Sequence, residues 1–378
     1  RAEFPELRCR LVDVVGDTDP QRIATALTWA REAQTIEDQL RVVDDIVERG
    51  RYVVGRSTEL ADMDLPRSQE PDFRCDYLPG RSFEGVVFHP LERQKPGVGE
   101  LEIEISHTSL NFIDVMKVMG IYPDESGTRP GLGLDCAGTV TRVGPGVDLQ
   151  VGERVVTAVD AGALATHIIA QARHTQLVPA TMDNQTAAAL PSVMMTAWHA
   201  LVDLAGLRSG EVVLIHSAAG GLGLAAIGVA RHIGAEVILT AGTPEKRAYL
   251  TDLGIEHVFD SRGLDWADDV LAATAGEGVD VVLNSLTGAG LQRGMEVLRD
   301  GGRFIEVGKR DIYGGQQIPM SVLKPGVSIS SLDLTRILRR RPDLYGDILA
   351  RVWSPICAGM IPTLPIISRP MAHASEAL

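Results

Sequence analysis

The chain predicts an α/β protein: a doubly wound parallel sheet of the Rossmann type plus a β-rich barrel domain, preceded by a short α/β fragment. Three observations predict it. The apolar stretch Glu211-Val212-Val213-Leu214-Ile215 enters the turn His216-Ser217-Ala218-Ala219-Gly220-Gly221-Leu222-Gly223, and a helix-like segment, Leu224 to Ile233, follows at once. From about residue 186 to 310, strand-like and helix-like segments alternate, as a parallel sheet with crossovers demands. From about 77 to 180 the pattern is one of short alternating segments with frequent Gly and Pro, the spacing of a compact barrel.

In chain order, Leu11 to Val15 reads as a strand, Pro20 to Ala33 as a helix and Tyr52 to Val54 as a closing strand. Residues 1–60 are thus the end of an α/β unit too small for a full core. Residues 61–76, with two prolines and mixed charge, read as a linker. Residues 77–185 form the β-rich domain, with strands at Leu101–Ile105, Gly138–Val143 and Arg154–Val159. Residues 186–317 form the Rossmann-type parallel-sheet domain, with strands at 212–216, 236–241, 256–260, 279–284 and 302–307. Residues 318–378 hold a strand-like Val327–Leu332, a helix Pro342–Trp353 and a Pro-rich Ile361–Ile367. They are assigned to a return to the β-rich domain, because the parallel sheet reads as complete without them.

The 378 residues are 45% apolar and 23% charged, ordinary for a globular protein of two or three domains. A net charge of -14 disfavours nucleic acid and anionic membranes, which attract basic surfaces. Cys9, Cys75, Cys136 and Cys357 form no CxxC pair, as expected of free thiols in a reducing, cytoplasmic setting. The longest apolar run, Val212 to Val229, is broken by His216, Ser217 and glycines, so no membrane span is expected. Arg1 is not a natural start and Ala374 to Leu378 read as a helix cut mid-turn, as in a piece of a larger polypeptide.

A strand, a glycine turn and a helix N-terminus make a site where backbone N–H groups and the helix dipole hold a pyrophosphate. The run AAGGLG is not a strict GxGxxG, but the strand Glu236 to Ala241 begins right after the helix, as a dinucleotide-binding βαβ unit requires. The alternative is a plain glycine-rich turn in a parallel sheet. The dinucleotide reading points to redox chemistry.

The segments Ser109-Leu110-Asn111-Phe112-Ile113-Asp114-Val115, Gly120-Ile121-Tyr122-Pro123, Val213 to Gly221, Asn284-Ser285-Leu286-Thr287-Gly288 and Gly308-Lys309-Arg310-Asp311 occur in this order. Jointly they resemble the enoylreductase domains of type I polyketide synthases and animal-type fatty acid synthases, in the medium-chain dehydrogenase/reductase superfamily. The resemblance implies a GroES-like, discontinuous β-rich domain and makes residues 1–60 the end of a preceding reductase-like structural segment. One departure is Ile113, where the family most often has arginine. The resemblance places a nicotinamide cofactor against Asn111, Thr196, Ala219, Gly220, Gly221, Leu222, Gly223, Thr243, Lys246, Arg262, Asn284, Ser285, Leu286, Val307 and Gly308.

Zinc-dependent members of the superfamily have cysteine where this chain has Asn111, and a His-Glu pair where it reads Gly133-Leu134-Asp135; neither asparagine nor leucine supplies a thiolate or imidazole. Asp135 is read as a buried structural acid satisfied by backbone. The second strand ends in Thr240-Ala241-Gly242-Thr243 without the acid that binds an NAD ribose, and Lys246 and Arg247 follow. This favours the 2′-phosphate of NADPH, with Lys246 as the main contact and Arg262 closing the adenine side. The alternative is a solvated helix face.

Reduction of an α,β-unsaturated thioester needs hydride at the β-carbon and a proton at the α-carbon. By resemblance the candidate catalytic residues are Tyr122, Lys309 and Asp333. A phenol stays protonated at neutral pH and can donate. Lys309, at the carboxyl edge of the sheet, could stabilise the enolate, lower the phenol pKa or donate directly, and Asp333 could orient it. The rival readings are a packing tyrosine and an ordinary charged turn. In relatives acting on α-methyl substrates, tyrosine at this position is associated with S-configured branches.

The resemblance implies an enoyl thioester on an acyl carrier protein as substrate, with other synthase domains as partners. Arg336, Arg339, Arg340 and Arg341 form the densest cationic cluster and are a candidate carrier-docking surface or a solvated helix end. Two other functions stay open: a free-standing quinone or enone oxidoreductase, and a non-catalytic NADPH-binding structural module.

Overall fold

A computed structural model describes residues 11–15, 39–43, 46–49, 72–77, 86–122, 131–308, 322, 324–371 and 374. The chain divides into two compact units, Arg1–Arg67 and Ser68–Leu378. In the first, β1 (Leu11–Val15) pairs in parallel with β2 (Gln39–Val43), which pairs antiparallel with β3 (Ile46–Arg49). β1 coincides with the expected strand; the expected helix Pro20–Ala33 and strand Tyr52–Val54 lie outside the described residues.

In the second unit the hairpin β4 (Phe73–Tyr77) and β5 (Val86–Pro90) precedes a five-stranded antiparallel sheet. Its strands are β6 (Glu100–Thr108), β7 (Asp135–Val143), β8 (Arg154–Ala158), β9 (His167–Gln171) and β10 (Thr175–Leu177), in the order β10-β8-β7-β6-β9. The hairpin joins this domain through an Arg74–Ala165 bridge and the Cys75 N–H, which donates to Leu164 C=O at 2.7 Å. Among the described residues no ladder closes the sheet into a barrel.

Strand alternation in β6 sends Leu101 and Ile103 into a core with Val140, Val155 and Ala170. Glu102, on the other face, is also buried, under Arg93, Arg142 and the Thr141 hydroxyl. Burial alone would raise its carboxyl; the hydrogen bonds from Arg142, Arg93 and Thr141 outweigh that and hold it well below the usual range. Glu102→Gln should therefore lower stability by about 2–3 kcal/mol, less than for a fully enclosed pair because both arginines reach solvent. A depressed carboxylate pKa contributes stability above its unfolded value and loses it as pH falls, so the deficit should fade in acid. Urea midpoints at neutral and acid pH test this; equal midpoints for the two proteins at neutral pH would contradict it.

The parallel sheet has six strands: β11 (Val212–Ile215), β12 (Glu236–Ala241), β13 (His257–Asp260), β14 (Val279–Asn284), β15 (Leu298–Glu306) and β16 (Ser328–Ser331), in the order β13-β12-β11-β14-β15-β16. The chain runs outward from β11 to β13, then crosses back to β14. The crevice beyond the carboxyl ends of β11 and β14 is the switch point where such sheets bind ligands. β14 is buried along its whole length, as a central parallel strand should be.

β16 corrects the sequence reading, which closed the parallel sheet before residue 318. It pairs in parallel with β15 from Arg303–Ser328 to Glu306–Ser331. This edge strand reads Ser-Ile-Ser-Ser and is mostly exposed, so hydrophobicity gave no sign of sheet membership. The return follows later. The helix Pro342–Cys357 packs on the antiparallel domain, with Trp353 Nε1 donating to Leu177 C=O at 2.9 Å and the Tyr345 ring edge-on to His174 at 5.2 Å.

Candidate active site

Beyond β11 the chain turns through Ser217, a non-glycine residue at φ 52°, and the Ala218 N–H donates to Thr240 C=O at 3.0 Å. The helix Gly221–Ile233 is capped by Gly220, and its ladder begins with Leu224 N–H to Gly220 C=O. The amides of Gly221, Leu222 and Gly223 are therefore first-turn donors of the kind that bind anions. Gly223 is required for packing: a Cβ there would stand 2.5 Å from the Ala218 Cα and carbonyl oxygen. His216 is structural. Its Nδ1 lies 2.8 Å from Thr240 Oγ1, its ring meets Trp266 edge-on at 4.6 Å, and burial pushes its pKa down to about 3.

The far wall of the crevice is a turn after β14. Asn284 is fully buried; its amide donates to Leu286 C=O at 2.8 Å and Glu306 at 2.6 Å, and accepts from the Leu286 N–H at 3.2 Å. It shapes the turn carrying Ser285, whose hydroxyl donates to Ser217 Oγ at 2.9 Å and ties the two loops together. Val307 N–H donates to Asn284 C=O, and Gly308 N–H donates to the Glu306 carboxylate at 2.5 Å, so the end of β15 belongs to the same network.

At the end of β12, Thr243 caps the helix Pro244–Asp252 and accepts from the Lys246 N–H at 3.4 Å. The two cations differ. Arg247 is held by Asp260 at 3.0 Å and by Ala241 C=O at 3.2 Å, whereas the Lys246 side chain is exposed with no ion pair among the described residues. Arg262 covers Gly242 so closely that a Cβ on Gly242 would lie 2.7 Å from its Nε.

The antiparallel domain supplies the opposite side. Asn111 caps the helix Phe112–Val118, and its N–H donates to Asp114 Oδ2 at 3.0 Å. Its side-chain NH2 donates to Asp135 Oδ2 at 3.0 Å, which also accepts from Ser109 Oγ at 2.9 Å. The other oxygen of Asp135 accepts from the N–H and hydroxyl of Ser192, at 3.1 and 2.6 Å. Asp135 is buried as expected, but mainly side chains satisfy it, not backbone alone; the spacing of 57 residues to Ser192 hid that partner. Burial raises its pKa to about 6 against hydrogen bonds from Ser192, Asn111 and Ser109 that lower it. Thr196 Oγ1 donates to Ser192 C=O at 2.6 Å, one turn along the helix Pro191–Trp198.

Tyr122 follows the helix Phe112–Val118, and its N–H donates to Met116 C=O at 3.2 Å. Beside it is a residue that sequence reasoning missed. Lys117 is buried, donates to Gly131 C=O at 2.8 Å, lies 3.6 Å from Asp114 and stands 6.0 Å from the Tyr122 ring centre. Nothing in Phe-Ile-Asp-Val-Met-Lys-Val marks a lysine for burial. Asp333 caps the helix Leu334–Arg340 and accepts from the Arg336 N–H at 3.1 Å. Lys309 lies outside the described residues. Arg336, Arg339, Arg340 and Arg341 are all exposed, and Arg339 is paired with Asp160 at 2.8 Å.

A cleft of about 400 Å³ brings the two halves together. It is lined by Ser109 and Asn111 from the antiparallel domain, Val193 and Gly221 from the parallel one, and the segment Leu364–Met371. Asn111 and the start of the glycine helix thus share one cavity. Tyr122, Thr196 and Lys246 are not among its lining residues.

Two family models match, "Alcohol dehydrogenase GroES-like domain" over residues 97–181 and "Zinc-binding dehydrogenase" over 221–353. The crystal structure of CurK enoyl reductase is 33% identical, aligned over 81% of this chain and 94% of that one, with a TM-score of 0.74. The chain belongs to the polyketide synthase enoyl reductase family of the medium-chain dehydrogenases/reductases. A phenolphthiocerol/phthiocerol polyketide synthase of Mycobacterium tuberculosis is 40% identical to this enoyl reductase over 99% of the chain. The chain spans 18% of that relative's length. Escherichia coli quinone oxidoreductase complexed with NADPH is 26% identical, covering 81% of this chain and 94% of its own, with a TM-score of 0.70. Among the described residues of the enoyl reductase, no helix is long and apolar enough to cross a membrane.

Proposed function

We propose that this enoyl reductase uses NADPH, without zinc, to reduce the α,β double bond of an enoyl thioester carried on an acyl carrier protein during polyketide or lipid chain elongation. The observation that supports the reading is the shared cleft, lined both by Asn111 and by Gly221 at the start of the glycine helix. A dinucleotide fits the residues present. The first-turn amides of Gly221–Gly223 would hold its pyrophosphate, and the close seat of Gly223 on Ala218 keeps that turn tight. Lys246, Thr243 and Arg262 would hold the 2′-phosphate and adenine side; Asn284 would act by holding the turn that presents Ser285 and Leu286.

NADPH, when bound, supplies the hydride for the β-carbon. Tyr122 would hold a proton on its phenol oxygen for the α-carbon, and the Lys309 ammonium would stabilise charge developing on the thioester oxygen. Asp333, at the start of its helix, would orient Lys309. Zinc does not fit: the Asn111 NH2 is a donor committed to Asp135, and Leu134 offers no lone pair. The acidic chain would meet an acidic carrier through a local basic patch; Arg336, Arg339, Arg340 and Arg341 are all exposed, with Arg339 paired to Asp160. We further assign residues 1–60 to the end of a preceding structural domain; the expected linker 61–76 runs too far, because Phe73–Asp76 lie in β4 and join the antiparallel domain. The likeness to an NADPH-bound quinone oxidoreductase supports a second reading, reduction of free quinones or enones.

With a crotonyl thioester as substrate, kcat/KM should be higher with NADPH than with NADH, and Lys246→Ala should shrink that preference by about tenfold. Equal kcat/KM for the two cofactors in the wild type would overturn the NADPH assignment.

A further inference from the structure

We propose that Asp135 is a positioning residue: its buried carboxylate orients the Asn111 amide in the cleft that Gly221 also lines, for contact with the nicotinamide half of the cofactor. The inference rests on the NADPH reading. A carboxylate only accepts hydrogen bonds, so Asn111 must turn its NH2 toward Asp135. That leaves the amide oxygen as its acceptor end, suited to a carboxamide NH2.

The backbone and side chain of Asn111 are fixed by different acids. Asp114 accepts from the Asn111 N–H at 3.0 Å, while Asp135 accepts from the side chain at 3.0 Å. The second oxygen of Asp135 reaches across to Ser192, whose N–H and hydroxyl both donate to it. Ser192 is followed by Val193, whose Cγ1 would be 3.5 Å from a Cβ on Gly221. One buried carboxylate thus links Asn111 on the antiparallel side to the helix that packs on the first turn of the dinucleotide helix. Asn111, Val193 and Gly221 all line the cleft.

The test is a binding cycle on the whole chain, read by fluorescence titration with NADPH and with adenosine 2′,5′-bisphosphate, which lacks the nicotinamide. Asp135→Asn replaces one of the two accepting oxygens with an NH2, which then faces either the Asn111 and Ser109 donors or the Ser192 donors. It should raise the Kd for NADPH by about tenfold or more and leave the bisphosphate Kd unchanged within about twofold. In an Asn111→Ala background the same substitution should change NADPH binding by less than about twofold. Equal weakening of both ligands, unchanged NADPH binding, or the same factor in the Asn111→Ala background would each overturn the proposal. Should Asp135→Asn not fold, Ser192→Ala, which removes the 2.6 Å hydroxyl contact, is read by the same criteria. Failure of the wild type to bind either ligand would instead defeat the NADPH reading.

Discussion

Gly223→Ala is expected to weaken NADPH binding by about ten- to hundredfold, the equivalent of roughly 1–3 kcal/mol of overpacking. The added methyl would stand 2.5 Å from the Ala218 Cα and oxygen and 2.6 Å from its carbonyl carbon, atoms of a main chain that cannot rotate away. Relief requires the helix Gly221–Ile233 to withdraw from the turn after β11, carrying the Gly221–Gly223 amides with it. Gly228→Ala is the matched control. It lies in the same helix, and its Cβ would meet only Ile361 and Pro362 at 3.4 Å or more. Placing alanine in a helix interior gains about 0.8–1 kcal/mol over glycine, so this variant should bind NADPH normally and melt no lower than wild type. Titration of both variants decides the matter; normal binding by Gly223→Ala would show that the turn does not hold the cofactor.

Lys309→Ala should lower kcat for a crotonyl thioester by about 10²–10⁴-fold, the usual range for a general acid or charge-stabilising group. Tyr122→Phe should cost less if water or Lys309 delivers the α-proton in its place. Both changes should act on kcat more than on KM if, as proposed, each group acts where charge develops and not where the acyl chain binds. Single-turnover rates together with product stereochemistry check this. Wild-type rates and stereochemistry in both single variants and in the double variant would remove these residues from the mechanism.

The central sheet was legible because its strands are short apolar runs set off by glycine turns and helix caps. Glu236–Ala241 and Val279–Asn284 match their predicted spans, and Val212–Ile215 differs by a single residue. β15 begins earlier than its sequence suggests, at Leu298, because Asp300-Gly301-Gly302 looks like a turn but lies within the strand, where the register with β14 shifts. β16 reads as a strand but is assigned by its sequence to the wrong domain, since an exposed serine-rich edge carries no burial signal. At the candidate site, the glycine run and Thr243 were singled out by local chemistry. The difference between Lys246 and Arg247 did not: it depends on Asp260, which reaches Arg247 from the next strand. Asp135 and Ser192 lie on separate elements that only the folded chain brings within 2.6 Å.

The most direct test of the account is NADPH oxidation by the wild-type chain, followed by absorbance, with a crotonyl thioester and with a quinone in parallel. The account predicts conversion of the thioester to its saturated form, with kcat/KM at least about 100-fold above that for the quinone. A preference for the quinone, or no NADPH oxidation with the thioester, would contradict it.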